Sequence, residues 1–305
     1  MNFLIPRLMP GNPVEILLAK FQGRLSPSAV KSLTILFGLN NHTSFWSQYI
    51  HYWGDIFTGN LGISVTYFPT SVTSVIAQSL PWTVALIGVA TVISFVLGTL
   101  LGVIVAWRRG SWLDNLLPVT TFFTSVPYFW LGLIAILWLA ADLHWFPLSG
   151  GYSTSTTIGF SAAFLGSAIY HAALPAITLV VSSIAGWLLG MRNMMVTTLA
   201  EDYVVMAEAK GLSRRRVMFA YAARNAVLPS VASFALSLGF VVSGAILVEE
   251  VFSYPGIGYV LFQAVNNEDF PLMQGVFLII TLAVLAANVL ADIAYAVLDP
   301  RTREG

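Results

Sequence analysis

The chain has 305 residues and a formal net charge of zero at pH 7; 57% of its residues are hydrophobic and only 9% are charged. With a mean hydropathy of +0.80, it has too few polar residues to cover a soluble globule of this size, so the composition indicates a protein of the lipid bilayer. The neutral balance gives no reason to expect nucleic acid as a partner, and the absence of cysteine excludes disulfides, thiolate metal sites and a cysteine nucleophile.

Residues 1–80 differ in sequence pattern from the rest of the chain. The opening MNFLIPRLMPG is too short to span a bilayer and is typical of the outer end of a helix, so we interpret it as the remnant of a first span. Turn signals such as GNP and GNLG and an aromatic-rich stretch at 45–57 then predict a small helical extracytoplasmic subdomain. Its aromatic residues are expected either at the membrane interface or packed against the helix bundle.

Five later segments are apolar and long enough to span, since a helix needs about 20 residues to cross the hydrocarbon core. They lie at 81–107, 115–140, 169–191, 229–252 and 272–298. The sequence therefore predicts an all-α integral membrane protein with five full spans plus the remnant. The membrane domain is expected over 81–298, with a short cytoplasmic tail over 299–305.

The basic residues fall at alternate ends of these spans. Arginines follow the first and the fifth span, and six of the fourteen Lys and Arg residues lie at 192–229, after the third. The loops at 142–168 and 253–271 contain no Lys or Arg. By the positive-inside rule the basic loops are cytoplasmic and the two bare loops face outward.

The polar loop at 192–229 has an internal order. Asp202 or a neighbour is placed to cap a short helix, and Gly211 is placed to end that helix in a left-handed conformation. A second helix is predicted to begin after Ser213 and to stop near Pro229. We expect a partner protein to bind this helix-Gly-helix element.

Catalytic motifs are absent from the sequence. There is no HExxH, no GxSxG and no arrangement of paired carboxylates in a polar cleft, and the four histidines are scattered. The phosphate-binding GxxxxGK[ST] loop is missing as well. We therefore expect no catalytic residue, metal or cofactor in this chain, and any energy must enter through another subunit.

Several motifs together resemble one family. The stretch DYVVMAEAKGLSRRRVMFAYAARNAVLP at 202–229 is similar to the cytoplasmic EAA loop of ABC importer permeases, in the form found in the dipeptide, oligopeptide and nickel branch. Four other segments also resemble sequences of this branch: GNLGISV at 59–65, TSVPYFWLGL at 124–133, VEEVFSYPGIGYVLFQAVNNEDFPLMQG at 248–275 and NVLADIAYAVLDPR at 288–301. Two positions depart from the pattern: Val205 stands where the general EAA motif has Glu, and Asn60 where the branch usually has Asp.

The resemblance implies the fold of a type I ABC importer transmembrane domain in a bacterial or archaeal inner membrane. It implies translocation of di- or oligopeptides by alternating access, with nickel chelates, glutathione or oligosaccharides as alternative cargoes. The implied partners are a second related permease subunit, two cytoplasmic ABC ATPase subunits that bind ATP and Mg²⁺, an extracytoplasmic substrate-binding protein and membrane lipids. A secondary transporter or channel is the alternative from another class. It predicts inverted repeats and an intramembrane ion-coupling carboxylate, for which Asp292 is the candidate.

In this family the EAA loop forms a coupling helix that seats in a groove of the ATPase. The residues that the resemblance assigns to this contact are Glu201, Asp202, Tyr203, Ala207, Glu208, Ala209, Gly211, Leu212 and Ser213. Ala207 and Gly211 are expected on its close-packed face, with acidic side chains at the rim. The alternative is a solvated charged loop that its arginines hold on the cytoplasmic side.

Polar side chains within the spans are the candidates for a translocation path, because a polar group that faces lipid is unfavourable. They are Thr120, Thr121, Thr124, Ser125, Ser182, Ser183, Ser237 and Ser243. The alternative role for these hydroxyls is hydrogen bonding between helices. Pro127 is expected to kink the second span, and Asn288 and Asp292 to pack against a neighbouring span.

Overall fold

The computed structural model describes residues 2–4, 26, 28, 31, 44–112, 115, 117–243 and 245–298. The predicted tail and most of the predicted first-span remnant lie outside these residues. The helices are α1 (Phe45–Thr58), α2 (Val72–Trp107), α3 (Leu117–Ser125), α4 (Tyr128–Asp142), α5 (Ala162–Thr198), α6 (Asp202–Ala209), α7 (214–226), α8 (Leu228–Phe240), α9 (Ile246–Val251), α10 (Ile257–Asn266) and α11 (Phe270–Leu298). Stretches of α4 and α7, at Ile136–Asp142 and Val217–Ala223, are π-helical.

Three of the described helices, α2, α5 and α11, are long and apolar enough to cross a membrane by themselves. Helices α3 and α4 supply a fourth span if they count as one, since they are bent by 95° at the break between them. The remaining predicted span, 229–252, is interrupted: α8 has 13 residues, and a 3₁₀ turn at Val241–Ser243 separates it from α9. Thirteen residues rise only about 20 Å, so the count of five full spans stays a prediction.

The two longest helices begin earlier than the predicted spans. Ser71 caps α2 by accepting a hydrogen bond from the Ser74 amide at 3.3 Å, and Ser161 caps α5 in the same way. Pro81, at which the first apolar segment was expected to start, lies inside α2. Helix α2 therefore crosses residue 80, where the extracytoplasmic subdomain was expected to end; the division into domains stays a prediction.

Glycines set the closest helix contacts. A Cβ placed on Gly102 of α2 would lie 2.6 Å from the Leu188 carbonyl oxygen of α5, and Gly98 one turn earlier also faces the α5 backbone. Gly239 of α8 faces Ala287 of α11 so closely that a side chain there would clash. Small residues let membrane helices approach to backbone contact, so α2 packs on α5 and α8 packs on α11.

Three clusters of buried apolar residues lie at successive positions along α2. The first joins the start of α2 to α10 and the start of α11, with Val72, Leu261 and Met273 among its members. The second, in the middle, includes Leu86, Leu174, Val248, Phe252 and Tyr254. The third joins the far ends of α2 and α5 to α6 and α7, and it is the cluster that positions the polar loop.

Candidate coupling loop and translocation path

The short helix α6 ends as the sequence predicted. Gly211 has a φ of 75°, its amide donates to the Glu208 carbonyl at 2.9 Å, and the Leu212 amide donates to the Ala207 carbonyl at 3.4 Å. These two bonds form a Schellman motif, in which a left-handed residue satisfies the last carbonyls of a helix. At the other end Glu201 is the N-cap residue and makes no side-chain cap bond, while Asp202 occupies the first turn.

The second helix of the loop also follows the prediction. Helix α7 begins after Ser213 and ends at Ala226, and after the single turn residue Val227 the chain enters α8 with Pro229 in its first turn. Proline is tolerated there because a first-turn amide has no partner within the helix. The loop is therefore joined almost directly to a membrane helix.

One face of α6 is buried within the chain itself. Val204 and Ala207 are 1% and 2% exposed, and they belong to the same buried cluster as Met191 and Met195 of α5 and Val217 of α7. The expectation that Ala207 lies on the face presented to a partner is therefore wrong. Its small side chain is needed because α6 packs closely on the ends of α5 and α7 in the same chain.

The opposite face of α6 is exposed and apolar at its centre. Val205 and Met206 are 55% and 57% exposed, and Tyr203 lies beside them. The remaining predicted contact residues surround this centre: Glu201, Asp202, Glu208, Ala209, Gly211 and Ser213 are exposed, and Leu212 is half-buried. We call Tyr203, Val205 and Met206 the α6 outer face. An apolar centre within a polar rim is the usual anatomy of a protein interface.

The predicted path residues of α3 are engaged with their own helix. The hydroxyls of Thr120 and Thr121 donate to the Leu117 carbonyl at 2.8 and 2.9 Å, and those of Thr124 and Ser125 donate to the Thr121 carbonyl at 2.7 and 3.1 Å. The 95° bend follows directly, with Pro127 as the N-cap residue of α4. The predicted kink is confirmed, and whether these hydroxyls line a path stays a prediction.

A cavity of about 570 Å³ lies between α5 and α8. Its lining is Ser183, Gly186, Trp187, Gly190, Asn193, Met194, Pro229, Ser230 and Ser233. Of the predicted path residues, Ser183 is in this lining; its hydroxyl lies 2.8 Å from that of Ser94 on α2. The hydroxyls of Ser182, Ser183 and Ser237 also donate to carbonyls of their own helices, and the side chains of Ser243 and Asp292 lie outside the described ones.

None of the described side chains that line the cavity is ionisable. Nothing lies within 4 Å of a Cβ placed on Gly186 or Gly190, so this part of α5 is open. Sequence reasoning missed these glycines together with Asn193 and Ser230. The signal that could have found them is their spacing, because residues three and four apart share one face of a helix.

Sequence reasoning also missed a buried carboxylate in the motif at 248–275. Glu249 is fully buried and accepts hydrogen bonds from the Thr83 hydroxyl at 2.7 Å, the Gly258 amide at 2.6 Å and the Tyr259 amide at 3.2 Å. It thereby satisfies the first amides of α10 and ties α9 to α2. A side chain at Gly256 would collide with this carboxylate, which explains a glycine at that position.

A second buried carboxylate joins the motif at 59–65 to α11. Asp269 accepts from the Ser64 hydroxyl at 2.5 Å and the Thr66 amide at 2.8 Å, and its other oxygen accepts from the Leu272 amide at 3.1 Å, in the first turn of α11. Burial of the neighbouring Tyr67 raises the pKa of its phenol to about 12. Both carboxylates have structural roles at helix ends.

Comparison with known proteins decides the family. Residues 98–304 match the binding-protein-dependent transport system inner membrane components. The chain belongs to this family. The permease is thus an inner-membrane component of a transport system that also requires a substrate-binding protein and an ATPase.

Relatives match over nearly the whole permease. It is 35% identical to the di/tripeptide transport system permease protein DppB of Pseudomonas aeruginosa, with 99% of this chain and 93% of that protein covered. It is 31% identical to the oligopeptide transport system permease protein AppB of Bacillus subtilis, with 99% and 92% covered. Against the dipeptide transport system permease protein DppB of Escherichia coli the identity is 32%, with 99% and 93% covered.

Solved structures confirm the fold of the permease. Two inward-facing structures of the MetNI methionine ABC transporter match with TM-scores of 0.59 and 0.57, at 14% and 16% identity. Each match covers 74% of this chain and 96% of that chain. The predicted all-α ABC importer transmembrane domain is thereby confirmed.

Proposed function

We propose that this permease translocates di- or oligopeptides across the inner membrane by alternating access. It acts as one half of a pair with a second related permease, two cytoplasmic ATPase subunits bind ATP and drive the cycle, and an extracytoplasmic binding protein delivers the peptide. The substrate class is supported by the relatives above, which are named for transport of di/tripeptides, oligopeptides and dipeptides.

The observation that carries the coupling mechanism is the attachment of α6 to both walls of the cavity. Through its buried face α6 packs on the end of α5, and through α7 it is joined to α8. A displacement of α6 by an ATPase would therefore move α5 and α8, which line the cavity. A merely solvated loop would need neither a buried inner face nor an exposed apolar outer one.

The cavity suits a peptide of variable sequence. Its hydroxyls and the Asn193 amide offer hydrogen bonds to a peptide backbone, which is common to all such cargoes. Because none of the described lining side chains is ionisable, they carry no charge with which to reject acidic or basic side chains of a cargo. Selection of the ligand is then left to the binding protein.

Introduction of a charge on the α6 outer face tests the coupling role. Met206→Asp places a carboxylate at the apolar centre of an exposed face, so the fold of the permease should be unaffected while ATPase docking is lost. We expect reduced ATPase retention on purification and reduced peptide uptake into proteoliposomes. The matched control is Ile158→Asp, an exposed apolar residue of the loop at 142–168, which should retain the ATPase. Full retention and uptake in Met206→Asp would refute the proposal.

A further inference from the structure

Helix α1 has three different faces. The first packs within the chain: Phe3 contacts the rings of Phe45, Tyr49 and Tyr52, with centroid distances of 5.4, 5.2 and 5.3 Å. This contact accounts for half of the aromatic residues in the stretch that the sequence singled out. The contact with Phe3 does not include the other aromatic residues of α1.

The second face is apolar and exposed. Trp46, Ile50, Trp53 and Phe57 are 69%, 70%, 41% and 83% exposed. Their spacing of four, three and four residues keeps them within about 60° of one another on a helix with 3.6 residues per turn. We call these four residues the α1 apolar stripe. None of the residues of α1 is buried, so the stripe is not part of the core.

The third face is polar. His51, Asp55 and Thr58 are exposed on it, and Ser47 continues it one turn earlier. Helix α1 contains no Lys or Arg. The helix is therefore amphipathic through apolar and uncharged polar groups, with Asp55 as its one acidic side chain.

Contacts with α2 and α11 fix where α1 lies. The Asn2 side-chain amide donates to the Tyr52 hydroxyl and to the Gln274 carbonyl in the first turns of α11, both at 3.0 Å. The Thr73 hydroxyl, in the first turn of α2, donates to the Gly59 carbonyl directly after α1 at 3.3 Å. These are the helix ends that the distribution of basic residues assigns to the outer side. Helix α1 thus lies on the outer side, next to the first turns of α2 and α11.

We propose that α1 lies in the plane of the outer membrane surface, with the α1 apolar stripe inserted at the boundary between lipid headgroups and acyl chains. Tryptophan favours this depth, and an amphipathic helix with one apolar face binds there. Since α1 has no cationic side chain, its insertion depends on apolar burial and not on anionic lipid. The proposal goes beyond peptide translocation and does not depend on it.

Spin labels on single cysteines test this placement, because the chain has no cysteine of its own. Ile50→Cys and Phe57→Cys on the stripe are compared with His51→Cys and Asp55→Cys on the polar face, in the assembled transporter in lipid nanodiscs. Accessibility to dissolved oxygen and to a water-soluble nickel chelate is measured in phosphatidylcholine alone and with phosphatidylglycerol added.

We expect the oxygen-to-nickel accessibility ratio to be severalfold higher at positions 50 and 57 than at 51 and 55, and equal in the two lipid mixtures. Similar nickel accessibility at all four positions would overturn the proposal, because the stripe would then lie in water. Labels at 50 and 57 that are immobile and shielded from both reagents would also overturn it, because the stripe would then be covered by protein. A ratio that rises only with phosphatidylglycerol would contradict the apolar basis of insertion.

Discussion

Removal of the buried Glu249 carboxylate should destabilise the permease more than any other single loss of charge near it. Glu249→Ala strands the Gly258 and Tyr259 amides, while the Thr83 hydroxyl can turn to another acceptor. Each buried donor left unsatisfied costs about 1–3 kcal/mol. Relief from burying a carboxylate offsets part of this loss, so we expect the free energy of unfolding to fall by about 2–3 kcal/mol.

Glu249→Gln separates the hydrogen bonds from the charge. The amide oxygen can still accept from Gly258 and Tyr259 while its NH₂ group faces the Thr83 hydroxyl, so the expected loss is only about 1 kcal/mol. The matched control is the adjacent Glu250→Ala: Glu250 is half-buried and accepts a long hydrogen bond from the Gln263 side-chain amide at 3.4 Å, so its loss should stay within about 0.5 kcal/mol.

The measurement is unfolding of the purified permease in mixed micelles by titration with a denaturing detergent. The expected order of stability is wild type and Glu250→Ala together, then Glu249→Gln, then Glu249→Ala. Wild-type stability of Glu249→Ala, or equal losses for the substitutions at 249 and 250, would refute a capping role for this carboxylate.

Three further predictions concern the loop and the topology. Gly211→Ala should destabilise α6 by about 1 kcal/mol through backbone strain alone, since φ is 75° and no described atom lies within 4 Å of the added Cβ. Gly211→Asn should lose less stability, because Asn adopts the left-handed conformation more readily, and limited proteolysis of the loop would show whether the two variants differ. Ala207→Trp should lower the thermal stability of the isolated permease by about 1–3 kcal/mol, because the residue is buried within the chain, and unchanged stability with lost ATPase binding would contradict that burial. Single cysteines at Thr154 and Arg214 should be labelled by an impermeant thiol reagent from opposite sides of the membrane, and labelling of both from one side would invalidate the positive-inside assignment.

Features with local causes could be predicted from the sequence. The left-handed end of α6 follows from Gly211, the bend between α3 and α4 from Pro127, and the helix at 45–57 from its own pattern. Each depends on residues within a few positions of the feature, and backbone conformation is restricted most strongly at Gly and Pro.

Features that depend on distant residues could not be predicted. Thr83 and Glu249 are 166 positions apart, and Ser64 and Asp269 are 205 apart, so no local pattern reveals their bonds. The burial of Ala207 was missed for the same reason: which face of α6 is covered depends on the ends of α5 and α7. A short helix with apolar residues on two sides has no period that distinguishes the inner face from the outer one.

The glycine contacts join four helices of the bundle in two closely packed pairs. With Gly102 against the Leu188 backbone, α2 and α5 form the first pair. Gly239 lies against Ala287, so α8 and α11 form the second pair. Between the two pairs, the α5 surface at Gly186 and Gly190 is open. We infer that, if the two pairs rock against each other during transport with the 3₁₀ turn at Val241–Ser243 as the hinge, the cavity opens to one side at a time while both glycine contacts are kept.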